Sequence, residues 1–84
     1  MEIAPTLTLR RIRPHKNERR FYRMEITADL FGTILLMRNW GRIGTDGRRR
    51  FYVFADADAA EAELVRLAAS KRRRGYREVL PKSQ

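Results

Sequence analysis

The spacing of apolar residues changes once along this chain, and that change limits the fold more than any single motif does. Through residues 6–55 the pattern is the two-residue alternation of half-buried strands. Breaks fall at Pro14, at Asp29 to Gly32 and at Gly44-Thr45-Asp46-Gly47. The alternation predicts strands over residues 6–13, 21–28, 33–43 and 48–55, with a polar loop over 14–20; the first strand lies at an edge. On the second, Tyr22, Met24 and Ile26 share one face and Arg23 and Glu25 the other. The continuous run Ile34-Leu35-Leu36-Met37 predicts a central strand covered on both faces. After Phe54 the period lengthens to that of a helix, with Asp56 as cap and an inward stripe of Ala57, Ala60, Leu64, Leu67, Ala68 and Lys71. Asp58, Glu61 and Glu63 sit in its first turns, Lys71 to Arg74 in its last, and Gly75 stops it. A stripe of this kind needs a partner. The expected fold is therefore α+β, an antiparallel four- to five-stranded meander with one helix on the face bearing Tyr22, Met24 and Ile26. Residues 76–80 add a short extended piece, and residues 1–5 and 81–84 are expected to be flexible ends of a single domain over 6–80.

Charge narrows the function. Nineteen basic residues against ten acidic leave a net charge of +9 on 84 residues, with a pI near 11.2. Such a field on so small a body draws polyanions and repels its own copies, so the free protein is expected to be a monomer. The mean hydropathy of -0.60 reflects sixteen arginines rather than disorder, since 43% of residues are apolar and strongly periodic. Cysteine is absent, which excludes disulfides, thiolate catalysis and cysteine-held zinc or iron. His15 is the sole histidine, and no metal or other cofactor is expected. With no long apolar run and no basic-then-apolar start, the chain reads as cytoplasmic, with no membrane partner.

One segment carries most of the chemistry: Arg38-Asn39-Trp40-Gly41-Arg42-Ile43-Gly44. In an extended chain Arg38, Trp40 and Arg42 share a face, setting the only tryptophan between two guanidinium groups. A flat ring stacks on a sugar or base while guanidinium forks take phosphate oxygens, so the comb suits a nucleic-acid backbone. The same residues also fit a core tryptophan at a strand end with solvated arginines beside it. Lys71, Arg72 and Arg73 at the helix end fit both phosphate contact and complementation of the helix dipole. Within Arg48-Arg49-Arg50, alternation sends Arg48 and Arg50 to one face and Arg49 to the other. Arg10, Arg11, Arg13, Arg19, Arg20 and Arg23 read as surface charge. Phe21, Tyr22, Phe51, Tyr52 and Phe54 read as core or sheet surface, and Tyr76 stays open.

Residues 17–22, the 38–44 run, the Gly47 turn and the helix ending Lys71-Arg72-Arg73-Arg74-Gly75-Tyr76 together resemble the WGR domain, a family named for the tripeptide found here at 40–42. The resemblance covers roughly residues 6 to 80. WGR domains are modules of DNA-dependent poly(ADP-ribose) polymerases that engage DNA strand breaks, and they also occur in small bacterial proteins. The resemblance implies that Trp40 packs against the sugar of a terminal nucleotide, that Arg42 touches DNA or a neighbouring domain, and that Lys71 and Asn17 contact phosphates. Arg38, Arg48, Arg72 and Arg73 complete the expected DNA-binding set. No ADP-ribosyltransferase region, regulatory helical region or zinc finger is present, so DNA-stimulated catalysis does not carry over.

The expected function is thus a non-catalytic module for DNA ends, nicks or breaks, nucleoid-associated if the source is bacterial. No helix carries the side chains of a major-groove reader, so little sequence preference is expected. Two alternatives stay open: a charge-driven coat for RNA or nucleic acid generally, and a protein-interaction module docking an acidic partner. Asp56, Asp58, Glu61 and Glu63 cluster where helix capping explains them, and no catalytic constellation is available.

Overall fold

A computed structural model describes residues 6–79, and the expectations for residues 1–5, 80 and 81–84 lie outside it. Five strands form one antiparallel sheet in the order β4-β3-β2-β1-β5. They are β1 (Thr6–Arg13), β2 (Glu18–Ala28), β3 (Ile34–Arg42), β4 (Arg48–Phe54) and the two-residue β5 (Arg77–Glu78); the helix α1 is Ala57–Arg73. The α+β meander with one helix on one face is the expected architecture.

Register sets what each face carries. Leu9, Tyr22 and Trp40 align across the sheet, as do Leu7, Met24 and Arg38, and these rows point to the same side as Leu36, Arg48, Arg50, Tyr52 and Phe54. The helix packs on this side through Ala60, Leu64, Leu67 and Ala68, closing a core with Leu9, Tyr22, Met24, Ile26, Leu36 and Tyr76. Both helix ends are built from local chemistry. The Asp56 carboxylate accepts from the Ala59 amide at 2.8 Å. At the other end Gly75 takes φ 96°, with its amide on the Arg72 carbonyl and the Tyr76 amide on that of Lys71, both at 3.0 Å, which is a Schellman closure.

Four expectations need correction. Ala57 is exposed rather than part of the buried stripe, because the helix meets the sheet only from Ala60 onward. The expected loop over residues 14–20 shrinks to a 3-10 turn at Pro14–Lys16 and a left-handed Asn17; Glu18, Arg19 and Arg20 already pair with Arg13, Ile12 and Arg11. The first strand is not the sheet edge along its whole length, since β5 pairs outside it at Leu9 and Arg10. Finally, β3 is central but covered by a layer on one side only. Met37 on the far face is 5% exposed, with Glu25 and Phe51 facing it in register, while Phe51 and Val53 stay exposed.

Candidate nucleic-acid interface

The interface starts from the rows on the helix side of the sheet. Apolar residues fill one end of these rows and basic residues the other, so the polypeptide changes from core to cation within a single face. Arg11 and Arg13 on β1, Arg20 on β2, Arg38, Trp40 and Arg42 on β3, and Arg48 and Arg50 on β4 share that basic end. Alternation thus places Arg38, Trp40 and Arg42 together, as expected, and sends Arg49 to the opposite face.

Trp40 is half-buried. Its ring stacks on Tyr22 with centroids 6.1 Å apart and planes 23° from parallel, and Tyr22 meets Tyr76 edge-on at 6.4 Å. The three rings make a row running from β3 toward the helix end. Cations lie over it: Lys71 Nζ is 4.3 Å from the Tyr22 centroid and 5.5 Å from that of Tyr76, and the Arg11 guanidinium is 4.9 Å from Tyr76. Arg38 sits 5.6 Å from Tyr22 and 5.2 Å from Tyr52, and its Nε donates to the Tyr22 hydroxyl. Burial pushes the Tyr22 phenol above its ordinary pKa despite that hydrogen bond, so it stays neutral. Burial first, and then the nearby Arg74, Arg38, Arg11 and Arg20, pull the Lys71 amine below its ordinary value. The local field already holds more positive charge than it can balance.

Three carboxylates near this region are occupied, those of Glu18, Glu63 and Glu78, whereas Asp46 in the turn after β3 has no ion pair among the described residues. Glu18 bonds Arg11 at 2.6 Å and lies 3.7 Å from Arg13; the Arg11 hydrogen bond holds its pKa low. Glu63 takes Arg66 and Glu78 takes Arg72. Among the described residues, Arg20, Arg38, Arg42, Arg48, Arg50 and Lys71 therefore have no ion pair. No carboxylate neutralises these cations, although Arg38, Arg42 and Lys71 are held by neutral partners.

Beside the motif, a cleft of about 430 Å³ is lined by Arg13, Lys16, Asn17, Glu18, Arg19, Arg20 and Arg42. Arg42 Nη1 donates to the Asn17 carbonyl at 3.2 Å, so these two expected contacts are physically joined. Two glycines allow this corner to close. A Cβ on Gly41 would stand 2.7 Å from the Gly47 Cα, and one on Gly47, at φ 70°, would stand 2.3 Å from the Trp40 carbonyl oxygen. Buried Asn39 locks the same turn by donating to the Asp46 and Arg48 carbonyls at 3.0 and 2.8 Å.

The expected residues do not all converge. Arg38, Trp40 and Lys71 meet around Tyr22, Arg42 and Asn17 meet at the cleft, and Arg48 lies opposite Trp40 in register. Arg72 turns the other way, toward Glu78 on β5, and Arg73 is exposed. Residues read as plain surface charge enter instead. Arg11 Nη1 donates to the Arg74 carbonyl at 2.9 Å, tying β1 to the helix end, and Arg20 stands opposite Arg42. The signal that reveals Arg11 and Arg20 is register, since both share a face with Tyr22 only once β1 and β2 are paired.

The comparisons agree with this architecture. The family model described as WGR domain matches residues 6–83. An uncharacterised protein of Sinorhizobium fredii, y4dW, is 42% identical over 71 residues, which is 84% of this chain and 35% of that protein, so the chain spans about a third of the length of this curated relative. A crystal structure of a Bacteroides fragilis protein superposes with a TM-score of 0.76 at 24% identity, covering 90% of this chain and 20% of that one, and shares the fold. With the family model spanning nearly the whole chain and the tripeptide forming the last three residues of β3, this protein belongs to the WGR domain family.

Proposed function

We propose that this chain binds DNA at ends, nicks or breaks, with Trp40 against the sugar of a terminal nucleotide and the surrounding cations on phosphates. WGR domains are nucleic-acid-binding modules rather than catalysts. The observation that carries the finer reading is the half-buried Trp40 ring, stacked on Tyr22 and sharing its sheet face with Arg38, Arg42 and Arg48, with Lys71 over the same Tyr22 ring and none of these cations in an ion pair among the described residues. A ring held on one face by another ring is rigid before any ligand arrives. Stacking on it therefore costs little ordering entropy and contributes about 1–3 kcal/mol per base or sugar contacted. Phosphates on either side meet guanidinium forks.

The test compares a blunt linear duplex with a closed circle of equal length, using the unaltered chain and Trp40→Ala. The proposal expects tighter binding to the linear form and a loss of about fivefold or more for Trp40→Ala. Equal affinity for both forms would overturn end preference. A Trp40→Ala variant within about threefold of the parent, with RNA bound as tightly as DNA, would mark a charge-driven coat instead. Hairpins differing only in a 5′ phosphate then ask whether the cleft of Arg13, Lys16, Asn17 and Arg42 takes the terminal anion.

A further inference from the structure

Arg49 and Phe51 lie off the proposed duplex face, yet they neighbour residues that belong to it. Along β4 the side chains alternate: Arg48 and Arg50 project with Trp40, Arg49 and Phe51 project to the far face, and all four are exposed. β4 is also an outer strand of the sheet. Three consecutive arginines therefore straddle an edge, and none of them has an ion pair among the described residues. This cationic stretch is bounded. Exposed Asp46 lies in the turn before it, and Asp56 and Asp58 follow the strand, so a polyanion is repelled at either end and attracted across the middle.

The far face is itself basic. Register places Arg10, Arg19, Arg23, Arg49 and Arg77 on it against one strand carboxylate, Glu25, which lies 3.2 Å from Arg23. Next to Arg49 an open depression of about 240 Å³ is walled by polar Arg23, Glu25, Thr27 and Arg49, with Phe51 at its side. Phe51 is 56% exposed, whereas Met37 opposite it in register is buried. Such a surface offers an apolar partner little to cover. It does offer a base an open ring, with a guanidinium beside it for a phosphate.

Two properties select a single strand over a duplex. Stacking on Phe51 needs an unpaired base, and passing from Arg48 to Arg49 means turning about the rim of a sheet. Duplex DNA, with a persistence length of about 150 base pairs, does not turn so sharply, while a single strand does.

We propose that the strand protruding from a recessed end, beyond the nucleotide that Trp40 caps, passes Arg48, crosses the β4 edge and lies on the far face. There one base stacks on Phe51 and a phosphate meets Arg49. The inference rests on the end-binding reading and adds to it the kind of end, one with a single-stranded overhang. Arg48 and Phe51 are three residues apart, about 10 Å along the strand, so contact begins within the first few nucleotides. A blunt duplex sends nothing to this face.

The test takes, for each chain, the affinity for a duplex with a six-nucleotide thymidine overhang divided by that for the same duplex blunt. Overhangs of both polarities are titrated at one salt concentration. The parent should gain about tenfold or more on one polarity. Phe51→Ala should hold blunt affinity within about twofold and bind the thymidine overhang no better than an abasic one, which keeps the phosphates without the bases. Arg49→Ala should lose at least about threefold of the gain on both overhangs. If Phe51→Ala loses its fold by circular dichroism, Phe51→Leu replaces it, keeping bulk without an aromatic face. Because the ratio cancels what the duplex face contributes, a failure of end preference is read from linear against circular DNA and a failure here from the ratio. No gain on either polarity, a gain that abasic residues reproduce in full, or a gain that survives both substitutions would each overturn the proposal.

Discussion

Lys71 shows how a single residue divides stability from function. It was expected on the buried stripe and also as a phosphate contact, and it lies half-buried over Tyr22 and Tyr76. A lysine so placed gains from the ring faces but loses hydration and meets Arg74, Arg38, Arg11 and Arg20. Its folded pKa lies below the unfolded one, so the unfolded chain holds the proton more tightly, and stability rises as pH climbs through the folded value. Methionine matches the length and keeps a favourable sulfur contact with the rings. Lys71→Met should therefore leave the melting temperature unchanged or raise it, while weakening duplex binding about tenfold through loss of one charged contact. Paired thermal melts and titrations check this; a lower melting temperature would show that the cation over the rings is a net stabiliser. The two candidate roles of Lys71 were visible in its sequence position. The aromatic row beneath it was not, because Tyr76 reaches the core only through the Schellman turn and the pairing of β5 with β1.

At the scale of elements, the motif is a hairpin corner. The Gly44 to Gly47 turn was legible because its signal is local: glycines at φ 97° and 70°. That Gly41 must also lack a side chain was not legible, since its neighbour is the Gly47 backbone folded over it. Gly47→Ala combines a left-handed backbone with a Cβ 2.3 Å from the Trp40 carbonyl oxygen. A loss of about 2–4 kcal/mol is expected, measured by urea unfolding, with Trp40 fluorescence reporting the shifted ring.

A second joint between elements fixes the helix end, and it titrates. Glu18 orients Arg11, which holds the Arg74 carbonyl, so a carboxylate on β2 steadies the last turn of α1 through β1. The sequence placed Glu18 in a loop, since the polar 18–20 segment shows no alternation and becomes strand only by pairing with 11–13. Arg11 lowers the Glu18 pKa, so this stabilisation is present above the unfolded carboxylate range and is lost as pH falls through the folded value. Asp29 and Glu63 are lowered in the same sense by their own partners, the Thr33 and Phe31 amides and Arg66. Melts from pH 7 to pH 3 should fall steadily. Glu18→Gln should begin less stable and fall less steeply, and an unchanged slope would show that the joint carries no acid sensitivity.

For the molecule as a whole, the consequence of this architecture is an unequal distribution of charge between faces. Composition revealed the excess of arginine but not where it lies, because strand register decides which arginines share a side. Arg38, Arg42, Arg48 and Arg50 project with Trp40, whereas Arg10, Arg23 and Arg49 project from the far face. If nucleic acid lies along the helix side and meets about four to six phosphates, log K should fall against log salt with a slope of about -4 to -5 on duplex. Arg42→Ala and Arg48→Ala should each reduce that slope by about one, uniformly across sequences. Arg23→Ala and Arg49→Ala remove the same formal charge from the other face and should leave the slope within about 0.3, changing affinity only through the weakened long-range field. Titrations of the four variants on one duplex over a salt series separate the two cases. Equal slopes for all four would mean that net charge alone drives binding and that the Trp40 face holds no privileged position.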